Sequence, residues 1–268
     1  MSTVARWAHE GWRGWRAADV AVEPGVWLAA LATGAGRRSR HARTLPLDTD
    51  AGRMFVKHYP APDGARARRA ARMADGLRAA GFGAPRTVAV GRAGRAGLLV
   101  TRDVGGGDLG ETVAALGRAG LRREKWTLLH ALGTEVGRLH QAGFVHGDLV
   151  PSNVRVVDGR FVFLDHDRTR RGRLLVWWGG RRNLVQLGRF VVAGLTVTDR
   201  ARVLASYAVA RRCGRVERHR LGAWLVAKTV ERRCAIDRIP PETAAAAGFR
   251  ALMRSGGRFD PGRAGAPS

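Results

Sequence analysis

The stretch from Phe144 to Asp167, FVHGDLVPSNVRVVDGRFVFLDHD, constrains the fold of this chain more than any other. Its first half, His146-Gly147-Asp148-Leu149-Val150-Pro151-Ser152-Asn153, puts a carboxylate and a carboxamide on one loop. Its second half is a hairpin signal. VRVV and RFVFL are short β-rich runs, and Asp158-Gly159 between them is a favoured two-residue turn. The second run ends at Asp165, so the hairpin presents a second carboxylate beside the loop.

That combination suits phosphoryl transfer. A carboxylate accepts or positions the proton of a substrate hydroxyl, and two oxygen ligands hold the metal bound to nucleotide phosphates. The loop matches the H-x-D-L-x-x-x-N pattern of a kinase catalytic loop, with Gly147 where protein kinases often carry arginine. The plain alternative is a structural loop whose Asp and Asn make local turn hydrogen bonds. The order of elements counts against it: sheet, Gly105-Gly106-Gly107 link, long helix, loop, hairpin.

Composition sharpens one further residue. Of 47 basic side chains only three are lysines, Lys57, Lys125 and Lys228. Such a bias reads as compositional drift, and an indifferent basic site would then be arginine. Lys57 sits in the run Met54-Phe55-Val56-Lys57, 91 residues before Asp148, and resembles the strand lysine that holds the α/β-phosphates of ATP. The net charge of +25 attracts polyanions: anionic lipid headgroups, phosphorylated glycolipids or nucleic acid. No helix-turn-helix, zinc or aromatic-platform motif supports a nucleic-acid binder, and no motif points to a protein partner. Cys213 and Cys234 have neither metal-ligand nor disulfide spacing and read as ordinary thiols.

Residues 1–24 read as an N-terminal extension. Its Trp7, Trp12 and Trp15 lie among arginines and either pack on the body of the protein or meet a membrane interface. Residues 25–104 read as a β-rich lobe: GVWLAALA, ARTLPL, RMFVKHY, RTVAVG and GLLVTRDV as strands, and 64–80 as a helix. Gly34-Ala35-Gly36 is either a plain turn or a phosphate-covering loop. Residues 105–254 read as a mainly helical lobe. A short helix over 108–117 precedes a long one over 123–142, whose core face would carry Trp126, Leu129, Leu132, Val136 and Leu139. Helices are expected near 182–194, 198–212 and 217–236, and a disordered tail over 255–268. Between Arg168 and Arg182 lies a basic stretch with Trp177-Trp178. It reads equally as a docking surface for a phosphorylated, membrane-anchored saccharide and as a solvated loop with inward-facing tryptophans.

FVKHY, GFGAP with VAVG, LHQAGFVHGDLVPSNVRV, FLDHDR and RRNLVQLGRF together resemble the lipopolysaccharide kinase family, bacterial enzymes that phosphorylate heptose or Kdo sugars of the lipid A–core. The resemblance covers roughly residues 40–210. It implies an α+β, protein-kinase-like two-lobed fold, with a small β-rich N-lobe and a mainly helical C-lobe. It implies Asp148 as catalytic aspartate, Asn153 and Asp165 as Mg²⁺ ligands, Lys57 on the ATP phosphates, and His146 as a brace for the loop. Asp167 would either assist at the metal or pair with a basic neighbour. The acceptor would be a glycolipid or saccharide. Aminoglycoside and choline-type kinases share the H-G-D pattern and stand as an alternative.

The chain departs from the kinase pattern in several places. The helix over 64–80 has no glutamate to pair with Lys57; its only acid is Asp75, and the register puts the expected position near Ala70. A nucleotide-binding adaptor without turnover is therefore a further alternative. Gly147 removes the arginine that reads an activation-loop phosphate, Asp165-His166-Asp167 lacks the glycine of D-F-G, and only 17 residues separate Asp165 from Asn183. A protein acceptor is disfavoured on these grounds. Without an apolar signal-peptide core or a run long enough to span a bilayer, the expected location is the cytoplasm, in peripheral contact with the anionic inner face of the membrane.

Overall fold

The computed structural model describes residues 3–254; the expected tail, 255–268, lies outside the described residues. The chain divides into two units. The first runs to Gly105 and takes back Val162–Thr169; the second holds Gly106–Phe161 and the chain from Arg170 onward. The fold is α+β and protein-kinase-like, with a β-rich first unit and a mainly helical second one.

The first unit is an antiparallel sheet of β1 (Val4–His9), β2 (Trp12–Ala17), β3 (Arg37–Arg38), β4 (Arg43–Leu47), β5 (Met54–Tyr59), β6 (Thr87–Ala93) and β7 (Ala96–Arg102). The strand order is β1-β2-β6-β7-β5-β4-β3. Alternation along β5 decides what each face carries. Met54 and Val56 enter a core with Trp7, Trp27, Val88, Leu98 and Val100. Tyr59 enters the other, with Ala67, Ala70 and Ala71 of a helix and with Val90 and Leu99. Helix α1 (Pro24–Ala32) covers the first face through Trp27, Leu28 and Leu31, each burial contributing roughly 1.5–3 kcal/mol. Helix α2 (Ala65–Ala79) covers the second.

Two expectations change here. GVWLAALA forms α1, not a strand. A short apolar run is ambiguous between the two; Pro24 in the first helical turn and the Ala/Leu content favour helix. Residues 1–24 are not a separate extension, because β1 and β2 continue the sheet through β6. Trp7 is buried edge-on to Trp27 with ring centroids 6.1 Å apart, and Trp12 stands edge-on to His58 at 5.9 Å. Trp15 packs partly on the Tyr59 cluster. The packing reading of these tryptophans therefore holds. Gly34-Ala35-Gly36 forms the turn that leaves α1, with the amide of Gly34 donating to the Leu31 carbonyl.

The second unit begins with β8 (Gly107–Asp108), α3 (Leu109–Arg118) and α4 (Arg122–Gln141). Asp108 caps α3 by accepting from the amides of Gly110 and Glu111. The strands β9 (Phe144–Val145), β10 (Val154–Val157), β11 (Arg160–Phe163) and β12 (Arg170–Arg171) follow; β11 carries the chain back into the first unit. Asp158 (φ 47°) and Gly159 (φ 73°) close the β10–β11 hairpin as the sequence expected. Then come α5 (Arg173–Gly188), α6 (Val197–Ala210), α7 (Arg215–Asp237) and α8 (Pro241–Arg254), the last beyond any sequence expectation. Helix α4 presents Leu128, Leu129, Leu132, Val136 and Leu139 to the core. Trp126, expected among them, is exposed at the edge of that stripe, with the Arg202 guanidinium 4.1 Å from its ring. Helix α5 begins nine residues earlier than expected, at Arg173, so the basic stretch is largely helical. Cys213 and Cys234 are free thiols.

Candidate active site

In the first unit, β5 places Lys57 and Tyr59 two residues apart and on the same side of the strand. The segment after β11 turns back at Asp165, whose φ of 59° is left-handed, and a short 3₁₀ turn over His166–Arg168 packs against α2. The turn brings two carboxylates to one ammonium. Lys57 Nζ donates to Asp165 Oδ1 at 2.9 Å and to Asp167 Oδ2 at 3.0 Å. Tyr59 Oη donates to the other Asp167 oxygen, Oδ1. The Lys57 ammonium also lies 5.2 Å from the Tyr59 ring centre.

The electrostatics follow from two negative charges beside one positive charge. Burial works against the Lys57 ammonium, but attraction to Asp165 and Asp167 outweighs it and raises its pKa. Burial pushes the Asp167 carboxyl up, Lys57 opposes this, and repulsion from Asp165 adds to it. Burial, reinforced by Asp167, also pushes the Tyr59 phenol up, so it stays protonated and must be the donor. Asp75 plays no part: it accepts a long hydrogen bond from Thr87 at 3.4 Å. Ala70, where the register expected an acid, is buried in the Tyr59 cluster. The lysine is thus held from the 3₁₀ turn rather than from the helix.

In the second unit, the loop 146–153 is held by α5. Asn183 Oδ1 accepts from the His146 amide at 3.0 Å and from His140 Nε2 at 3.2 Å. Gln186 Oε1 accepts from the Leu149 amide at 3.1 Å and from Asn183 Nδ2 at 2.9 Å. Gln186 Nε2 donates to the Gly147 carbonyl at 2.9 Å. A carbonyl oxygen on Nε2 makes that nitrogen the donor, so His140 Nδ1 accepts from Tyr207 Oη, 3.0 Å away. His140 is therefore neutral, and burial lowers its pKa to about 4. His146, which the resemblance made a brace for the loop, is buried.

Gly147 has φ +79°, where a side chain would strain the backbone, which gives the glycine of H-G-D a conformational reason. Asp148 stays partly exposed. Asn153 Nδ2 donates to the Asp148 main-chain carbonyl at 3.0 Å, with Asp148 Oδ2 at 3.5 Å. With its nitrogen so committed, Asn153 offers its amide oxygen for coordination. Asp165 in the first unit and Asn153 in the second each carry a hard oxygen donor, the donor type that Mg²⁺ takes.

The sequence model of the lipopolysaccharide kinase (Kdo/WaaP) family matches residues 41–207, which hold Lys57, the loop, the Asp165–Asp167 turn and α5. The chain belongs to this family. Lipopolysaccharide kinases are phosphotransferases. Shorter stretches of the chain are similar to two further proteins. A probable bifunctional tRNA threonylcarbamoyladenosine biosynthesis protein of Methanothermobacter thermautotrophicus is 34% identical over 100 residues, 37% of this chain and 16% of that protein. The KEOPS complex subunit Bud32 of Pyrococcus abyssi is 40% identical over 42 residues, 16% of this chain and 19% of that protein. The chain thus spans under a fifth of the length of either relative.

Within this member of the lipopolysaccharide kinase family, sequence reasoning singled out Lys57, Asp148, Asn153 and Asp165. The structure places Lys57 on Asp165 in the first unit and Asn153 on Asp148 in the second. Tyr59, Asn183 and Gln186 were not legible as site residues, and Asp167 had two open roles. Tyr59 had a signal, its i+2 spacing from Lys57. Asn183 and Gln186 had another: scarce amides three apart in a helix, hence on one face.

Proposed function

We propose that this protein transfers the γ-phosphoryl group of ATP to a sugar hydroxyl of the lipopolysaccharide core, Kdo or heptose, or of a related glycolipid. The observation that carries the reading is Lys57 held by Asp165 and Asp167, together with its family membership. Asp148 orients the acceptor hydroxyl and takes its proton. Lys57 would bind the α/β-phosphates, and Asn153 and Asp165 would hold Mg²⁺, which would supply charge neutralisation for phosphoryl transfer. Asn183 and Gln186 keep the Asp148 loop in shape.

The acceptor class is supported by the short path after Asp165. Helix α5 starts at Arg173, so only residues 166–172 lie outside it before the loop-clamping amides. That length leaves no peptide platform. Among the described residues no helix is long and apolar enough to cross a membrane. A cytoplasmic protein working on the membrane's inner face fits this reading.

The test uses purified protein, radiolabelled ATP, Mg²⁺ and a Kdo- or heptose-terminated core glycolipid, with an aminoglycoside and choline in parallel. Label is expected on the glycolipid, falling at least ~10²-fold in Asp148→Ala. Label on the small molecules alone would replace the reading with a small-molecule kinase. Nucleotide binding without turnover on any acceptor would make the protein an adaptor. An Asp148→Ala variant as fast as the parent would remove the catalytic assignment.

A further inference from the structure

The first half of α5 runs against the usual burial trend. Leu174 is 89% exposed, Trp178 75%, Trp177 60% and Leu175 43%, while Val176 alone of this group is buried. Leu174, Trp177, Trp178 and Arg181 fall at i, i+3, i+4 and i+7, so they share one helix face. Trp177 and Trp178 stand edge-on, with centroids 5.1 Å apart, and the Arg181 guanidinium lies 5.2 Å from the Trp177 ring. Large apolar side chains grouped in this way mark an interaction surface rather than scattered exposure. The reading of this stretch as a loop with inward tryptophans does not hold.

The same stretch is uniformly basic. Residues 168–182 contain Arg168, Arg170, Arg171, Arg173, Arg181 and Arg182 and no acid. Gly179 and Gly180 let α5 dock: a Cβ there would lie 2.6 Å from Val145 and 3.1 Å from His140. The C-terminal half of α5 is anchored by Asn183 and Gln186, so the apolar face is displayed on a fixed support.

We infer that the N-terminal half of α5 is a membrane-docking element, inserting Leu174, Trp177 and Trp178 at the headgroup–acyl boundary of an anionic bilayer while the flanking arginines meet the headgroups. Charge complementarity selects this occupant. A second copy of the chain is itself strongly basic and would be repelled. The segment 255–268 carries two arginines against one aspartate and does not complement the face either. Nucleic acid would match the arginines but leave the leucine and tryptophans in water. An anionic bilayer satisfies both, and tryptophan with arginine suits its interfacial zone.

The test is flotation of the full chain with vesicles of phosphatidylglycerol and phosphatidylcholine, against phosphatidylcholine alone, at physiological salt. Neither nucleotide nor acceptor is present, so failure here leaves the kinase reading standing, and failure of phosphotransfer leaves this one standing. The parent is expected to float with anionic vesicles, and brominated lipids to quench its Trp fluorescence. Arg170→Gln with Arg173→Gln is expected to weaken binding about 25-fold, near fivefold per charge. Leu174→Ser with Trp178→Ser, both at exposed positions, is expected to weaken it at least tenfold and remove part of the quenching. The inference is overturned if the parent ignores anionic vesicles or if the Leu174/Trp178 variant binds like the parent. It is also overturned if double-stranded DNA outcompetes the vesicles and DNA binding is insensitive to Leu174 and Trp178.

Discussion

Replacing Asp167 by asparagine tests whether the turn after β11 does the work of the missing helix glutamate. Asparagine matches the shape and keeps an oxygen that can accept from Tyr59, but it removes the charge. Lys57 would then have Asp165 as its one carboxylate partner, and Asp165 is also the proposed metal ligand. A hydrogen bond to a charged group contributes about 1.5–3 kcal/mol. If that contribution is realised when ATP is positioned, kcat/KM for ATP falls about 10- to 150-fold. Stability should behave differently. Burial and repulsion from Asp165 push the Asp167 carboxyl up in the fold, so its ionised form is disfavoured there relative to the unfolded chain. A group shifted this way stabilises below its unfolded pKa and loses that contribution as pH rises through the folded one. At neutral pH, removing the charge should therefore leave Tm unchanged or higher. Tyr59→Phe removes a bond to the same carboxylate but leaves both acceptors on Lys57, so it should cost less in kcat/KM than Asp167→Asn. The assay is steady-state phosphotransfer at varied ATP beside a thermal melt. Unchanged kcat/KM in Asp167→Asn would refute the positioning role, and a loss matched by a fall in Tm would reduce it to a structural one.

Three further outcomes follow from the second unit. Asn183→Ala or Gln186→Ala leaves loop amides or the Gly147 carbonyl without their partners, and should lower kcat by about 10-fold or more with little change in ATP KM; comparing kcat and KM at saturating acceptor checks it. His140 has a folded pKa of about 4 against 6.5 unfolded, so the unfolded chain takes the proton first as pH falls. Stability should be full above pH 6.5, drop by about 3 kcal/mol towards pH 4 and then level off, and urea titrations should show that drop reduced in His140→Gln. Lys125 Nζ lies 2.9 Å from the buried Asp199 carboxylate and donates to the Gly194 carbonyl at 2.7 Å. Burial opposes that carboxylate, but bonds from Thr196 and Lys125 outweigh it and keep its pKa low. Lys125→Met leaves the Asp199 charge to the longer Arg202 pair at 3.4 Å, and should cost less than the about 3–5 kcal/mol of a fully stranded buried charge, read as a clear fall in Tm.

Lys125 also qualifies the argument from lysine rarity. The same scarcity that marks Lys57 marks Lys125, yet Lys125 holds a helix cap: Thr196 and Asp199 form a capping box, and Lys125 neutralises it. Rarity shows that a lysine is retained for a reason. Whether the reason is a phosphate or a fold depends on what lies opposite, and that is set by packing.

The local chemistry was readable in the sequence because it is written in short-range terms. The loop with Asp148 and Asn153, the Asp158-Gly159 hairpin, β4 to β7, α2 to α4 and the end of the hairpin at Asp165 depend on spacing, turn residues and periodicity, which act over a few residues. The errors fell where those signals are silent. GVWLAALA carries no period that separates strand from helix, and no local signal shows that α5 runs through Gly179-Gly180, which pack close to Val145 and His140. Other features were decided only by tertiary structure, because they join residues far apart in the chain. Lys57 meets Asp167 across 110 positions, and Asn183 reaches the His146 amide across 37. The sequence could show that α2 lacks a glutamate. Only the fold, by bending the chain at Asp165 and packing the following turn against α2, could supply a carboxylate from elsewhere.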